Sequence, residues 1–566
     1  MTKVKKIFKK QNIKEILILF IATIFICIPL LSNKLNIMYD DGIQHVSRLI
    51  GTYQSIQEGQ TFPVIMSKFC NNFGYSWNLF YSPLTAYLPL IFKLIGVSFI
   101  GCLKLFMFFV IFLSGITMYF FTKEVTKNNK IALLAGIFYI FAPYRLTDMY
   151  ARNALAELTS FIFLPMIFHG LYGILKQKPK REYLLIFGSI GLLLTHTVIT
   201  MYTAIICFIY LLTQIKKIRN KQIIKKLIVS AIFIVTITSF FTIPMLEHKL
   251  SANYEVFKEG RMEREDVLIA LKLNFSELFI TQKSHIRIYE IGMLSVIILV
   301  LSPIVIQKMK RKCKNTDFYR FYIFSLIAGI VSVIMTVKIF PFEHLPSILK
   351  MLQFSFRMLE FSSFFFAFVV SVNIGVLLKK IKYKDIIIVL IVLMLLTCIY
   401  IPKLHFAARI NEESLIETIP VTKETGRVHA GCASFEYLPS KAFENREYIE
   451  TRTQDVIVIK GNATLTNQLK ENTNLSCRIS NVTEETQIEL PYIYYLGYTI
   501  TLEQNEEITK LQTFETNNGF IGVKIPVLED GIIKVKYEGT SFMKVSSILS
   551  IISLIILFIS FIKYKK

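Results

Sequence analysis

The chain has 566 residues, of which 53% are hydrophobic and 18% are charged. A water-soluble protein of this size needs more polar surface than so few charged residues provide. The composition therefore excludes a soluble enzyme, a disordered chain and a repeat solenoid. The formal net charge of +24 would suggest nucleic-acid binding only if the charge formed a patch on a soluble face. The sequence instead indicates a bundle of membrane helices with additional structure outside the membrane.

Apolar stretches close to the length that crosses a bilayer recur along the whole chain. We predict about twelve spans, which lie at 15–32, 98–122, 131–144, 157–175, 183–195, 197–214, 222–244, 290–307, 319–338, 356–378, 385–401 and 543–562. The stretches 131–144 and 183–195 are short for a span, so we expect them to be tilted or broken. No small-residue cleavage site follows the first stretch, which is therefore interpreted as a retained anchor and not as a signal peptide.

Lysine and arginine clusters separate the predicted spans, and with these spans every cluster falls on the same side of the membrane. The clusters are Lys3–Lys14, Lys123–Lys130, Lys176–Arg181, Lys216–Lys221, Lys308–Lys314, Lys379–Lys384 and Lys563–Lys566. Because short cytoplasmic loops are enriched in Lys and Arg, this side is predicted to be the cytoplasm, with both termini there. The positive net charge is then explained by the basic cytoplasmic loops, which set the orientation of the chain in the membrane. The expected location is a bacterial plasma membrane, and no nucleic-acid partner is expected.

The segment 83–97 is apolar but short, and it carries Pro83, Pro89 and Lys93. If it crossed the membrane, the cluster Lys123–Lys130 would be moved to the outside. We therefore expect a helix that lies at the outer interface, or a re-entrant piece.

Three long segments are predicted on the outer side, at 33–82, 246–289 and 402–542. In the last of them the apolar pattern changes from helical to alternating, which predicts a small antiparallel β domain. The alternating stretches are Val456–Ile459, Tyr492–Tyr495 and Ile532–Tyr537. The chain is thus divided into an all-α transmembrane domain at 1–401, an extracytoplasmic β-rich domain at 402–542, and a final transmembrane helix with a basic tail at 543–566. The β-rich domain contains Cys432 and Cys477, for which the outer location would permit a disulfide that the spacing alone does not establish.

The first outer segment contains two adjacent acids, Asp40 and Asp41, directly after the first span. If this segment continues as a helix, Asp41 and His45 share one face. A carboxylate at the membrane boundary can act as a general base, and together with His45 it can hold a divalent cation such as Mg²⁺ or Mn²⁺. The alternative is a helix cap with solvated charges.

A second polar group lies between the predicted spans 131–144 and 157–175. Arg145 and Arg152 carry planar, permanently charged groups that suit phosphate, and Glu157 opens the next span. The pairs Tyr144 with Asp148, and Asn153 with Glu157, are spaced by four residues. The alternative is an internal arginine–carboxylate network that only locks two helices together.

The remaining candidates are His196, between two apolar runs, and the helical face that carries Gln353, Arg357 and Glu360. An arginine at this depth needs an anion. For Arg357 the sequence leaves two choices, a structural pair with Glu360 or a lipid-linked phosphate that arrives from the bilayer. His196 is either a site residue or an ordinary interface residue.

In their order and sidedness, these groups resemble the GT-C class of polytopic membrane glycosyltransferases. Within that class the chain is similar to bacterial YfhO-like proteins and to the "6-pyruvoyl-tetrahydropterin synthase-related" membrane protein family. The resemblance covers nearly the whole chain. It includes two further stretches of the outer domain, Glu436–Pro439 and Pro491–Tyr498.

The resemblance implies an inverting sugar transfer from a polyprenyl-phosphate-linked donor to a glycan or lipid of the cell envelope, on the outer face. It implies that Asp40 or Asp41 is the catalytic base or a metal ligand, and we expect Glu157 to share the catalytic role. The developing charge on the phosphate would be met by arginine or by a metal ion. The residues expected to bind the lipid phosphate or the substrate are Arg145, Arg152, His196, Gln353 and Arg357.

Two other functions compete with this one, a transporter or flippase of a lipid-linked glycan and a non-catalytic envelope assembly protein. A transporter is expected to show inverted repeats and charges near the middle of the bilayer, whereas here no repeat is evident and the charges lie at the outer ends of spans. If the chain is a glycosyltransferase, Asp40 or Asp41, Glu157, His196 and Arg357 should line one cavity.

Overall fold

A computed structural model of the chain describes residues 10–32, 41–60, 62–258, 265–280, 287–313, 316–378, 380–401, 432 and 435–563. Over these residues the chain forms a helical bundle with a two-sheet β domain near its C-terminal end. Asp40 and the predicted domain boundary at residue 402 lie outside the described residues.

Fourteen helices of eight residues or more are found among the described residues. They are α1 Lys10–Cys27, α2 Gly42–Gln57, α3 Phe99–Thr126, α4 Asn129–Ile140, α5 Leu155–Leu175, α6 Arg181–Leu193, α7 Thr197–Thr213, α8 Lys221–Ser251, α9 Met293–Val300, α10 Ser302–Cys313, α11 Asp317–Ile334, α12 Met358–Leu377, α13 Tyr383–Tyr400 and α14 Ser541–Lys563. Their starts follow ordinary capping chemistry, since the side chains of Ser98, Asn128 and Asn220 each accept a hydrogen bond from a first-turn amide.

Eight of the described helices are long and apolar enough to cross a membrane, and the number is ten if each of two bent pairs forms one span. The bent pairs are α4 with Pro143–Ala151, at 42°, and α9 with α10, at 46°. The predicted membrane bundle is confirmed. Of the twelve predicted spans, 183–195 and 197–214 correspond to α6 and α7, which have 13 and 17 residues and are short for a span.

Three of the predicted basic loops meet at one end of the bundle, which we call the lysine end. There the carboxylate of Glu124 pairs with Lys127 at 2.8 Å and with Arg181 at 2.9 Å. Asp317 pairs with Lys176 at 3.2 Å and also with Lys217. The loops after α3, α5 and α7 therefore share one end, as the sequence predicts.

The C-terminal β domain consists of two antiparallel sheets. Its strands are β1 Ile457–Lys460, β2 Thr464–Glu471, β3 Asn474–Val482, β4 Thr486–Ile493, β5 Tyr498–Gln504, β6 Glu507–Lys510, β7 Thr513–Glu515, β8 Phe520–Ile525 and β9 Leu528–Tyr537. One sheet has the order β1-β4-β8-β7 and the other β2-β3-β9-β5-β6. Buried side chains from both sheets, such as Ile488 and Ile533, form one apolar core. The predicted β-rich fold is confirmed.

The β domain packs on residues 62–80, which we call the docking loop. The amide of Ile493 donates to the carbonyl of Phe73 at 3.1 Å, and the Phe73 ring lies edge-on to Phe520, with centroids 5.1 Å apart. Lys470 donates to the carbonyl of Asn72 at 2.6 Å. These contacts hold the β domain against the end of the bundle that also carries α2, and we call this end the domain end.

Cys432 and Cys477, for which the sequence leaves a disulfide open, lie in different apolar clusters of the structure. The sulfur of Cys432 lies 3.4 Å from the sulfur of Cys70 in the docking loop. Cys477 is buried in the core of the β domain, where its thiol points to the carbonyl of Thr466.

The segment 83–97 forms two single helical turns, Leu84–Tyr87 and Leu90–Lys93, and not one continuous helix. The apolar stretch is too short to cross a membrane. Leu94 and Ile95 are 83% and 77% exposed, which agrees with the interfacial or re-entrant placement predicted from the sequence.

Candidate functional site

A cavity of about 370 Å³ lies at the domain end of the bundle. Six separate parts of the chain line it, so that it is a product of the tertiary fold. They are Asp41–Arg48, Phe80–Ser82, Ala154–Glu157, Thr195–Val198, Gln353–Arg357 and Glu436–Tyr437, together with Val256. Its walls thus combine residues from the bundle with residues that precede the β domain.

Helix α2 and its N-cap residue contribute four polar residues to the cavity, one of which is Gln44. Asp41 occupies the N-cap position without a side-chain capping hydrogen bond, and Asp41, His45 and Arg48 follow one another at helical spacing, so that they share a face. The side chain of Asp41 is 47% exposed, whereas His45 and Arg48 are 5% and 6% exposed. The amide of Asp41 donates to the carbonyl of Arg152 at 3.0 Å, which fixes the start of α2 against the second polar group.

Glu157, at the start of α5, is the most heavily paired residue of the cavity. Its carboxylate accepts two hydrogen bonds from Arg152, at 2.8 and 2.9 Å, and one from Arg357 at 2.7 Å. The hydroxyl of Tyr144 donates to it at 2.8 Å, and a ring nitrogen of His196 lies 4.0 Å away. Both oxygens of Glu157 are therefore already occupied by donors.

Each of the two arginines has further partners. Arg152 also pairs with Asp148 at 2.9 Å and with Asp41 at 3.5 Å. Arg357 donates to the side-chain oxygen of Gln353 at 2.8 Å. The internal arginine–carboxylate network considered as an alternative therefore exists, and the same network lines the cavity.

The carboxylate partner of Arg357 is Glu157 and not Glu360. Glu360 is buried elsewhere in the bundle, where it accepts a hydrogen bond from the hydroxyl of Ser160. Although Gln353, Arg357 and Glu360 were predicted to share a helical face, α12 begins only at Met358. Gln353 instead adopts a left-handed backbone conformation with a φ of 65°, which separates it from the helix.

Arg145 does not reach the cavity, contrary to the prediction that it binds the lipid phosphate. Its guanidinium donates to the hydroxyl of Ser114 at 2.8 Å. It lies over the rings of Tyr139 and Phe161, 4.6 and 4.2 Å from their centroids. Two aromatic rings and a hydroxyl therefore contact this cation, and it is not among the residues that line the cavity.

The two histidines of the cavity are held in their neutral form. Burial lowers the pKa of His45 to about 3, with the charge of Arg48 as the next cause. Burial also lowers the pKa of His196 to about 3, with the charge of Arg357 as the next cause. At neutral pH each ring can donate one hydrogen bond and accept another, but neither carries a proton to give as an acid.

Arg48 is a cavity residue that the sequence analysis missed. Its guanidinium lies over the ring of Tyr81, 3.7 Å from the centroid. Its Nε atom has no hydrogen-bond partner, and its charge interacts with that of Glu436, a carboxylate that lines the same cavity. The helical spacing from Asp41 through His45 to Arg48 was the signal that could have found it.

Glu436 and Tyr437 also line the cavity, although they lie far along the chain from the other lining residues. The Tyr437 ring stacks on Phe80, with centroids 5.6 Å apart. In the sequence analysis these two residues were noted only as part of the resemblance to a family. No local pattern predicts that a segment so distant returns to the first outer segment.

A metal site is not assembled by the described residues, because no group of three His, Cys, Asp or Glu side chains among them could hold a metal ion. Asp41 and His45 are close in the helix, but Asp41 is directed toward Arg152. Asp40 lies outside the described residues, so the divalent cation stays a prediction.

Comparison with known proteins gives one family, one similar protein sequence and one solved structure with a weak likeness. Residues 79–407 match the family model described as the 6-pyruvoyl-tetrahydropterin synthase related domain, membrane protein. An uncharacterized protein of Lactococcus lactis is 26% identical over 347 residues, which are 59% of this chain and 55% of the relative. The apo crystal structure of an oligosaccharyltransferase of Archaeoglobus fulgidus matches with a TM-score of 0.39 at 12% identity, over 79% of this chain and 59% of that chain. The chain thus matches little more than half the length of each of these two proteins.

Proposed function

The chain belongs to the membrane protein family of the 6-pyruvoyl-tetrahydropterin synthase related domain, and from this premise we propose that its cavity is the active site of a glycosyltransferase. The donor is a sugar linked to a polyprenyl phosphate, and the acceptor is a hydroxyl of an envelope glycan or lipid. The convergence of Asp41, Glu157, His196 and Arg357 on one cavity supports this function. An assembly protein would not need such a set of charged groups around an open space.

In this proposal Asp41 is the general base. A base needs an oxygen that is free to receive the acceptor proton. Asp41 is half exposed to the cavity and has only a loose contact with Arg152, at 3.5 Å. Glu157 cannot take this role in the same way, because four donor contacts already hold its carboxylate. We therefore assign to Glu157 the positioning of Arg152 and Arg357.

The reaction requires a cation for the phosphate that leaves. The acceptor oxygen attacks the anomeric carbon while Asp41 takes its proton, and the bond between that carbon and the phosphate oxygen breaks. The departing polyprenyl phosphate gains the negative charge of this bond. Arg48 suits this charge because it is buried in the cavity and its Nε atom has no hydrogen-bond partner. Neutral His45 and His196 can donate hydrogen bonds to the same group.

An apolar surface that could hold the polyprenyl chain belongs to the segment 83–97, which begins next to the cavity residue Ser82. The exposed side chains of Leu94 and Ile95 follow the short turns that begin at Leu84. The amide of Leu84 donates to the carbonyl of Leu194 at 2.9 Å, two residues before His196. A lipid that lies against this segment would bring its phosphate to the cavity.

The proposal further places the domain end outside the cell, because the lysine end has the composition of cytoplasmic loops. A lipid-linked donor would then be used after it has reached the outer leaflet.

A transporter of a lipid-linked glycan is the second candidate, and one observation favours it. Arg145 and Glu360 are buried, with 0% exposure, in the bundle away from the cavity wall. Ionisable groups within a membrane often mark the path of a transported substrate. The arginine is nevertheless enclosed by two aromatic rings, which gives it a structural role as well.

The test uses the purified full-length protein in lipid bilayers with a panel of polyprenyl-phosphate sugars. Release of free polyprenyl phosphate is followed for the wild type and for Asp41→Asn. We expect turnover by the wild type and a loss of at least 100-fold in the variant, since general base catalysis typically contributes about 10²–10⁴-fold. Asp530→Asn is the control, because Asp530 is an exposed acid on the surface of the β domain.

Sugar-independent movement of the lipid across the bilayer, without release of polyprenyl phosphate, would contradict the enzyme and support the transporter. Turnover that is equal in the wild type and Asp41→Asn would retain the enzyme and remove Asp41 as its base. Asp40→Asn, measured beside it, then tests the neighbouring acid.

A further inference from the structure

Two buried thiols face each other where the docking loop meets the start of the C-terminal segment. The sulfur atoms of Cys70 and Cys432 lie 3.4 Å apart, and the two residues are 0% and 1% exposed. The residues are more than 360 positions apart in the sequence. Their approach is therefore a consequence of how the C-terminal segment returns to the bundle.

Contacts on both sides of this pair hold it in place. The hydroxyl of Tyr75, in the docking loop, donates to the carbonyl of Cys432 at 3.0 Å. The same hydroxyl accepts a hydrogen bond from the amide of Tyr437 at 3.2 Å. Cys70 itself belongs to a tight turn, since its carbonyl accepts from the amide of Phe73 at 3.1 Å. These contacts hold the two sulfur atoms close to each other.

We propose that Cys70 and Cys432 are a disulfide-forming pair that links the docking loop covalently to the wall of the cavity. An S–S bond is about 2 Å long, so small rotations of the two side chains would close the present gap. If the domain end faces the outside, as the lysine clusters indicate, the pair lies where disulfides form and persist.

The chemistry requires an electron acceptor, which we assign to the class of thiol–disulfide oxidoreductases. The two thiols lose two electrons and two protons as the bond between their sulfurs forms. The disulfide of the oxidoreductase takes both and becomes a dithiol. Burial raises the pKa of Cys70 well above its usual value, and thiolate is the attacking species. The bond is therefore expected to form before the docking loop and the C-terminal segment are fully packed.

The consequence of the bond lies at the cavity. Cys432 precedes Glu436 and Tyr437 by only a few residues, and both line the cavity. A link at Cys432 would keep this wall closed against Phe80, on which Tyr437 stacks. A disulfide between Cys70 and Cys432 would hold Glu436 and Tyr437 in place whatever the cavity binds, and it is therefore independent of the proposed sugar transfer.

The test is a peptide map of the full-length protein isolated from membranes in the presence of N-ethylmaleimide. We expect the peptides of Cys70 and Cys432 to be joined without reductant and to separate after reduction. Cys27 and Cys102, which lie in α1 and α3, serve as internal references and should react with maleimide once the protein is denatured. Reaction of Cys70 and Cys432 with maleimide in unreduced, denatured protein would overturn the inference, as would a link from Cys432 to Cys477.

Two matched variants sharpen the result. Cys70→Ser should leave Cys432 as a thiol that reacts with maleimide after denaturation, whereas Cys477→Ser should leave the link intact. If the Cys70→Ser variant does not accumulate in the membrane, the peptide map of the wild type decides whether Cys70 and Cys432 are linked. A Cys432 peptide that stays disulfide-linked in Cys70→Ser and is released in Cys477→Ser would assign the bond to Cys432 and Cys477 and overturn the inference.

Discussion

Two acids at the cavity differ in how much of their charge is already paired. Glu157 is nearly inaccessible and contacts two arginines, whereas Asp41 is half exposed and contacts one arginine loosely. Removing one partner of a buried ion pair leaves the other charge uncompensated, while an exposed pair contributes little. Substitution of Glu157 should therefore mainly lower the stability of the fold, whereas substitution of Asp41 should mainly affect the reaction.

Glu157→Gln is expected to lower the free energy of unfolding by about 3 kcal/mol, because Arg152 and Arg357 lose their shared carboxylate. Asp41→Asn is expected to change it by less than about 1 kcal/mol. Thermal unfolding in detergent measures both variants against the wild type. Equal losses in the two variants would show that Asp41 is as much a part of the structural network as Glu157.

Arg48 provides a second prediction at the scale of one residue, and it concerns affinity for the donor. Arg48→Gln should raise the KM for the polyprenyl-phosphate donor about tenfold, equivalent to about 1.4 kcal/mol. Arg48→Lys should give a smaller increase, because lysine keeps the charge but loses the planar group that stacks on Tyr81.

The matched control for Arg48 is Arg446→Gln. Arg446 also stacks on an aromatic ring, at 4.4 Å from the centroid of Phe443, but it is exposed and outside the cavity. A donor KM that changes equally in both variants would indicate a general loss of surface charge and not a phosphate site.

The buried neutral histidines make stability depend on pH. The pKa of His45 and of His196 is about 3 in the folded protein, against an ordinary value of 6.5. The unfolded chain therefore binds protons first, and stability falls as the pH drops below 6.5. Between pH 7.5 and 5, each histidine should lower the free energy of unfolding by about 2 kcal/mol. His45→Gln and His196→Gln should each show a smaller fall in melting temperature over this range.

The control for this measurement is His344→Gln, which replaces an exposed histidine outside the cavity. Its melting temperature should fall with pH as much as that of the wild type. A fall in His45→Gln that equals the wild-type fall would mean that this ring is protonated in the folded protein.

At the scale of elements, the sequence predicted the long helices and the β domain well because their patterns are local. Stretches such as α3 and α12 are predominantly apolar, and strands such as β9 alternate clearly. Breaks within the apolar helices were harder to predict from the sequence. The run from 131 is interrupted at Pro143 and continues as the π-helix Thr147–Ala151. Asp148 and Arg152, which are four residues apart, pair within this stretch as helical spacing allows, but no regular periodicity marks the break itself.

The candidate site was predictable to the extent that each part carries an unusual residue. Asp41, Glu157, His196 and Arg357 were found because polar groups at the ends of apolar spans are conspicuous, and they do meet. Arg145 looked equivalent to Arg152 in the sequence. Only the fold turns its side chain toward Ser114 and two aromatic rings. Pairing between Glu157 and Arg357, 200 residues apart, is likewise a tertiary property.

At the scale of the whole molecule, the basic loops and the cavity lie at different ends of the bundle. Helix α3 shows this, since its first residue, Phe99, lies edge-on to Tyr53 of α2. Its last turns carry Glu124 among the cations of the lysine end. A chain with this separation of charge has a preferred orientation in the membrane. The proposed outer placement of the cavity depends on that orientation, so it can be tested without any knowledge of the substrate.

Two cysteine variants decide the orientation, Lys460→Cys at the end of β1 and Lys216→Cys at the lysine end. Both lysines are exposed, so the introduced thiols should react readily. On intact cells a membrane-impermeant maleimide should label Lys460→Cys above the wild-type background and should label Lys216→Cys only after the membrane is broken. The reverse pattern would place the cavity in the cytoplasm. It would then require the lipid-linked donor on the inner leaflet, and it would remove the oxidising surroundings that the pair of Cys70 and Cys432 needs.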